Sequence, residues 1–335
     1  MVSMKQIAEI CGVSVATVSK ALNGQKDIGE ETRELVKRKA DELGYMTNSA
    51  ARTLKTNRSY NLGVLFEDMG GRGLTHEFFA SVLEGFKAEA ANRGYDITFI
   101  SKSLFDRSST YLQHCNYRAF DGVGIICVNF FDSDVLDLIR SNVPVVTVDQ
   151  VFDNSISVIS DNVNGMETLV RYAYEKGHRK LAYIYGNDTS VTQNRLTGFY
   201  RACEQLGLTI EPSFVRQSRY YDVDASYAAT AELISMKDRA SCILFPDDFS
   251  LIGGIRAIKD AGLSIPDDIS VMGYDGIVVS QVMSPRITTY RQNAALIGST
   301  AASSLIEYLD HPNTAIPKRI LVEGNLLEGE SVKQL

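Results

Sequence analysis

Three charged residues stand at places where a cleft ligand would be held. Asp149 closes the apolar run that begins at Pro144, and Asp275 closes the run from Ile269, just after Gly273 and Tyr274. Arg195 stands at the entrance to a helical stretch that is expected over 196–206. Strand ends and helix starts are where an open α/β sheet presents side chains to a ligand. A carboxylate accepts two hydroxyls side by side and a guanidinium donates through a planar fork, so the set suits a polyhydroxylated molecule such as a sugar. A salt bridge that closes the cleft on itself would use the same residues. Asp68, just past the first expected strand, is placed to line the same space.

Covalent chemistry has no comparable support. The chain contains no G-x-S-x-G, no P-loop and no H-E-x-x-H, and Gly71-Arg72-Gly73 lacks the third glycine of a dinucleotide fingerprint. His76, His114, His178 and His311 are dispersed. The five cysteines, at 11, 115, 127, 203 and 242, include no C-x-x-C pair. No enzyme, cofactor, metal site or disulfide framework is therefore expected, and a reducing cytoplasm fits. The apolar runs are too short to span a membrane, and the start has no basic segment leading into an apolar one.

The elements that must position these residues alternate. Strands are expected at 61–66, 97–101, 122–128, 144–149, 180–185, 241–245 and 269–273. Helices are expected near 77–93, 165–176, 196–206 and 249–261. Continuous apolar strands separated by helices predict parallel sheets covered on both faces. The series begins again after Ser160, which predicts two doubly wound subdomains with a cleft between them.

The first sixty residues read differently. The formal net charge of the chain is −7, yet residues 1–60 hold ten Lys/Arg against seven Asp/Glu, so a mildly basic head stands on an acidic body. Met4, Ile7, Ala8 and Cys11 lie on one helical face. Gly12 permits a turn, and Ser14 is a good N-cap for a second helix carrying Val15, Val18 and Leu22. A third helix is expected over 30–43. Helix, tight turn and helix in about twenty residues is the helix-turn-helix arrangement. Asn48 would cap only one or two further turns, 49–55, which is too short to be stable alone in water.

The strings MKQIAEICGVSVATVSKALNG (4–24), ELGY (42–45) and NSAARTLK (48–55) closely resemble the opening of the lactose-repressor/galactose-repressor (LacI/GalR) family of bacterial transcription regulators. The remainder resembles that family's periplasmic-binding-protein-like core, through Asp121-Gly122, Val143-Pro144 and Asp149, GHRKLA (177–182), RLTGF (195–199), DDISVMGYD (267–275) and ITT (287–289). The resemblance implies a helix-turn-helix domain over 1–46, a hinge over 47–59 and an effector-binding core over 60–335. Within the core, one subdomain would take about 60–160 and 292–320, the other about 161–290 and 321–335.

The resemblance places the second helix in the major groove, with Val15, Ala16 and Lys20 toward base edges. Lysine donates to guanine O6/N7, while Val15 and Ala16 offer shape and thymine-methyl contacts. Ser14, Thr17 and Asn23 would fix register on the backbone. The hinge would order only on DNA, with Asn48 as its cap, Leu54 as an apolar wedge, Ala51 along the minor groove, and Arg52 and Lys55 toward phosphate. In the core the resemblance adds Asp161, Tyr221, Asp247 and Gln292 to the ligand set, with Tyr220 an equal candidate to Tyr221 as the stacking ring. The expected partners are a near-palindromic double-stranded operator, a small effector, most often a sugar, and a second copy of the chain in a homodimer. A purine-type corepressor is the alternative effector. A sugar-binding protein without gene control is the alternative function.

Overall fold

A computed structural model describes residues 2–22, 24–25, 27–45, 53, 58–68, 70–104, 107–314 and 316–335. Two compact units divide between Ser59 and Tyr60. The first unit contains α1 (Met4–Cys11), α2 (Val15–Leu22) and α3 (Glu30–Glu42). Ser3 and Gln6 form a capping box at the start of α1, and Gly12 turns the chain at φ 66°. Ser14 Oγ then accepts from the Thr17 backbone N–H at 3.0 Å, capping α2. Ile7, Ala8, Val18, Ala21, Val36 and Ala40 close a small core. Gly29 precedes α3 without a side-chain cap, and Glu30 and Glu31 occupy the positive end of its dipole.

The second unit carries two six-stranded sheets. The first contains β1 (Asn61–Phe66), β2 (Asp96–Phe99), β5 (Gly122–Cys127), β6 (Val145–Val148), β7 (Ile156–Ser160) and β13 (Arg319–Val322), after a two-stranded ribbon of β3 (Ser103–Leu104) and β4 (Arg107–Ser108). Its order is β13-β7-β6-β5-β1-β2, parallel throughout. Helices α4 (Glu77–Asn92), α5 (Tyr111–Arg118) and α6 (Ser133–Arg140) connect its strands. The second sheet has the order β14-β12-β11-β10-β8-β9, from β8 (Leu181–Tyr185), β9 (Val215–Gln217), β10 (Cys242–Leu244), β11 (Ser270–Asp275), β12 (Thr288–Arg291) and β14 (Asn325–Leu327). Only β14 runs antiparallel. Its helices are α7 (Asn162–Glu175), α8 (Ser190–Gln205), α9 (Val223–Ser235), α10 (Leu251–Asp260) and the short α11 (Val278–Val282). Helix α12 (Ala294–Asp310) returns to the first sheet and packs on α4. The central strands β5, β6 and β8 are buried almost end to end because helices cover both faces, which is why they read as largely apolar runs, whereas the edge strands β2, β9, β13 and β14 are mostly exposed or half-buried.

Two helix starts differ from the expectation. Helix α7 begins at Asn162, because Asp161 Oδ1 accepts from Asn164 N at 3.1 Å and caps it. Helix α8 begins at Ser190, capped by Thr189, so Arg195 lies inside the helix and not before it. The mostly polar run Ser190–Asn194, with Val191 its one apolar residue, conceals this first turn from apolar periodicity.

Candidate functional site

The C-terminal ends of both sheets converge on one cleft in the second unit. Asp149 follows β6 in the left-handed region at φ 57°, and its Oδ1 accepts from Ser160 N at 2.8 Å. Its backbone carbonyl accepts from Ser190 Oγ at the start of α8 at 2.8 Å, across the cleft. Asp275 ends β11 at φ 98°, and its Oδ1 accepts from Gln292 Nε2 at 2.7 Å. The other end of Gln292 accepts from Ser160 Oγ, so one amide joins the two sheets.

Arg195 is fully buried and well occupied. Its Nε donates to Asn162 Oδ1 at 2.8 Å and its Nη1 to the Pro246 carbonyl at 2.7 Å. Its Nη2 stands 3.7 Å from Asp275 Oδ1, and its guanidinium lies 3.6 Å from the Tyr274 ring centroid. Burial pushes the Asp275 carboxyl up to about 7, against the pull of Arg195. Burial likewise pushes Asp149 up to about 6, opposed by the Ser160 N–H and by Arg195. Asp149, Arg195, Asp275 and Gln292 thus form one polar wall.

The other candidates have local duties. Asp247 is saturated: it accepts from Tyr221 N at 2.9 Å, Ser250 N at 2.7 Å and Ser250 Oγ at 2.7 Å. Its neighbour Asp248 accepts from Thr289 Oγ1 and Ile277 N, in space that Gly273 leaves open, since a Cβ on Gly273 would lie 1.9 Å from Asp248 Oδ1. Asp68 organises its own loop by accepting from the backbone N–H groups of Gly70, Arg72 and Gly73. Asp161 caps α7. Of the paired tyrosines, Tyr220 lies beside Arg195 and shares a hydroxyl hydrogen bond of 2.9 Å with Thr192. Its ring fits because Gly186 has no Cβ to meet it.

Tyr221 faces the other way. Its ring stacks on Phe249 at 5.3 Å and 4°, and on His76 of the first lobe at 3.5 Å. Arg72 completes the stack, 3.9 Å above Phe249. A further cross-lobe bond runs from Val278 N to Glu77 Oε1 at 2.7 Å. Burial lowers the His76 imidazole to about 4. Arg72, His76 and Phe249 are not among the site residues expected from the sequence.

In the head, Val15 on α2 is exposed, whereas Val18 and Ala21 are buried. Ala16, Thr17 and Lys20 are exposed or half-buried on the same helix. Lys20 Nζ pairs with Asp27 Oδ2 at 2.6 Å. Asn23, Asn48, Ala51, Arg52, Leu54 and Lys55 lie outside the described residues. His178 bridges Ser241 Oγ and the Lys333 carbonyl, a structural tie. Among the described residues there is no cluster of metal-ligating side chains and no helix long and apolar enough to cross a membrane.

A helix-turn-helix head joined to a two-lobed α/β core with a polar cleft defines a ligand-responsive DNA-binding regulator. The model for bacterial regulatory proteins of the lacI family matches residues 3–48, and that for the periplasmic binding protein-like domain matches 170–332. The chain is 30% identical over 343 residues to the HTH-type transcriptional repressor PurR of Photobacterium profundum, and 29% identical over 341 residues to the ribose operon repressor of Haemophilus influenzae, with 100% of each chain covered in both cases. The Lac repressor dimer bound to operator and the anti-inducer ONPF superposes with a TM-score of 0.79 at 24% identity, over 99% of each chain. The chain belongs to the LacI family of bacterial transcription regulators; it is a transcriptional repressor with a ligand-binding core, not an enzyme.

Proposed function

We propose that this repressor acts in the cytoplasm as a homodimer on a near-palindromic operator, and that a neutral sugar in the core cleft sets its affinity for that operator. The observation that carries the reading is the convergence of Asp149, Arg195, Asp275 and Gln292 between the two sheets. In this reading Asp149, Arg195, Asp275 and Gln292 meet ligand hydroxyls, with Tyr220 beside them, while the Tyr221 ring packs on Phe249 and His76. Asp68, Asp161 and Asp247 shape the loops and helix start around the site. Ser14, Val15, Ala16, Thr17, Lys20 and Asn23 belong to the DNA-reading surface of the head, and Asn48, Ala51, Arg52, Leu54 and Lys55 to the hinge. Effector-driven change in the angle between the lobes would order or melt the paired hinges, and so couple the two sites.

A purine-type corepressor is the second reading. It is favoured by the PurR relatives. The deciding experiment is calorimetric titration of the full-length protein with D-ribose, D-glucose, cellobiose, hypoxanthine and guanine, followed by operator binding with each ligand that gives heat. Binding of a sugar that shifts operator affinity supports the first reading. Binding of a nucleobase alone supports the second. Binding by none of the five overturns both.

A further inference from the structure

We propose that Asp27 is a selectivity residue of the DNA-reading head: it holds the Lys20 ammonium away from indiscriminate phosphate contact and aims it at a base edge. The inference rests on the reading that α2 faces DNA. Lys20 lies on α2 one turn beyond Ala16, and its Nζ is 2.6 Å from Asp27 Oδ2, with the two side chains 45% and 56% exposed. Gln25 and Ile28, described residues on either side of Asp27, are tied to neighbouring elements. Arg33 Nη2 donates to the carbonyls of Gln25 at 3.1 Å and Ile28 at 3.2 Å, and Gln25 N donates to the Lys20 carbonyl at 3.1 Å. Arg33 Nη1 is itself held by Glu30 Oε2 at 2.7 Å. The carboxylate therefore sits between two braced residues, Gln25 and Ile28, opposite the one lysine that α2 contains.

An exposed ion pair of this kind contributes little to folding. Its effect on DNA binding is larger, because each lysine that neutralises a phosphate releases condensed counterion and steepens the salt dependence by about 0.9 in log–log slope. A lysine already neutralised by its own protein gives up most of that gain on random sequence. It keeps free N–H donors for guanine O6/N7, where direction matters more than net charge. Asp27 thus depresses non-specific affinity more than specific affinity.

The test uses the full-length protein, a random-sequence 30-base-pair duplex, and an operator selected from a random pool with the wild type. Asp27→Asn is expected to raise affinity for the random duplex about threefold at low salt and to steepen its salt slope by about 0.9. The ratio of operator to random affinity is expected to fall, and Asp27→Glu to restore it. An unchanged melting temperature shows that the effect is not structural. If Lys20→Met weakens operator binding but Asp27→Asn leaves random-duplex affinity and ratio unchanged, the role of Asp27 is overturned and the reading helix stands. If Lys20→Met changes no affinity on either duplex, the placement of α2 on DNA falls and the inference falls with it.

Discussion

Replacing Arg195 by Met tests the polar wall of the cleft most sharply. The replacement keeps an unbranched apolar stem but is shorter, and it loses the charge and the donors. Asn162 Oδ1 and the Pro246 carbonyl, which accept at 2.8 and 2.7 Å, are left buried without that donor, and Asp275 loses the cation 3.7 Å away. Removing one partner of a buried pair costs about 3–5 kcal/mol. For a unit of this size, that lowers the melting temperature by roughly 10 °C. Asp275 relieves part of the loss by taking up a proton, which it does readily because burial already holds its carboxyl at about 7. The loss should therefore be larger at pH 8, where the native carboxyl is ionised, than at pH 6, by about 1 kcal/mol. Arg195→Met/Asp275→Asn should recover part of the single-variant loss. Urea unfolding followed by far-ultraviolet circular dichroism reads the change; the chain has 16 Tyr and no Trp, so tryptophan emission offers no signal. A loss below about 1 kcal/mol at pH 8 would refute the view that Arg195 is a buried, committed donor.

Three further outcomes follow from the same geometry. The Asp275 carboxyl, held at about 7 against an ordinary 3.8, binds its proton more tightly when folded, so its contribution to stability is greatest below about pH 4 and is lost as pH rises through about 7; Asp275→Asn should remove that slope in unfolding measured from pH 4 to pH 8. His76 has the opposite sign: its imidazole falls to about 4 from an ordinary 6.5, so acidification through that window costs stability, and His76→Phe should flatten the acid limb of the same curve. Gly273→Ala should cost about 2 kcal/mol or more, because its Cβ would lie 1.9 Å from Asp248 Oδ1; unchanged thermal melting would contradict the tight fit.

The alternating order of the core is legible where a buried strand is a largely apolar run, as in β5, β8 and β10; β7 and β12 give no such signal, because Ser157, Ser160, Thr288 and Thr289 are buried in them. Asp149 and Asp275 are legible for a related reason, since the run stops abruptly at a carboxylate. The start of α8 is hidden, because its first turn is mostly polar and only the Thr189 cap marks it. The Arg72–Phe249–Tyr221–His76 stack is invisible in one dimension, because residues 72 and 249 come from opposite lobes. The choice between Tyr220 and Tyr221 is likewise a matter of φ and not of residue type. Tyr221 adopts φ 55° and sends its ring toward the first lobe, leaving Tyr220 beside Arg195.

Coupling between head and cleft is the centre of the account, and a closed thermodynamic cycle measures it. Operator affinity is determined at fixed salt with and without saturating effector, and effector affinity with and without saturating operator. The two ratios should be equal and at least about fivefold from unity. An effector that enters the cleft with full occupancy yet leaves operator affinity unchanged would contradict the account outright.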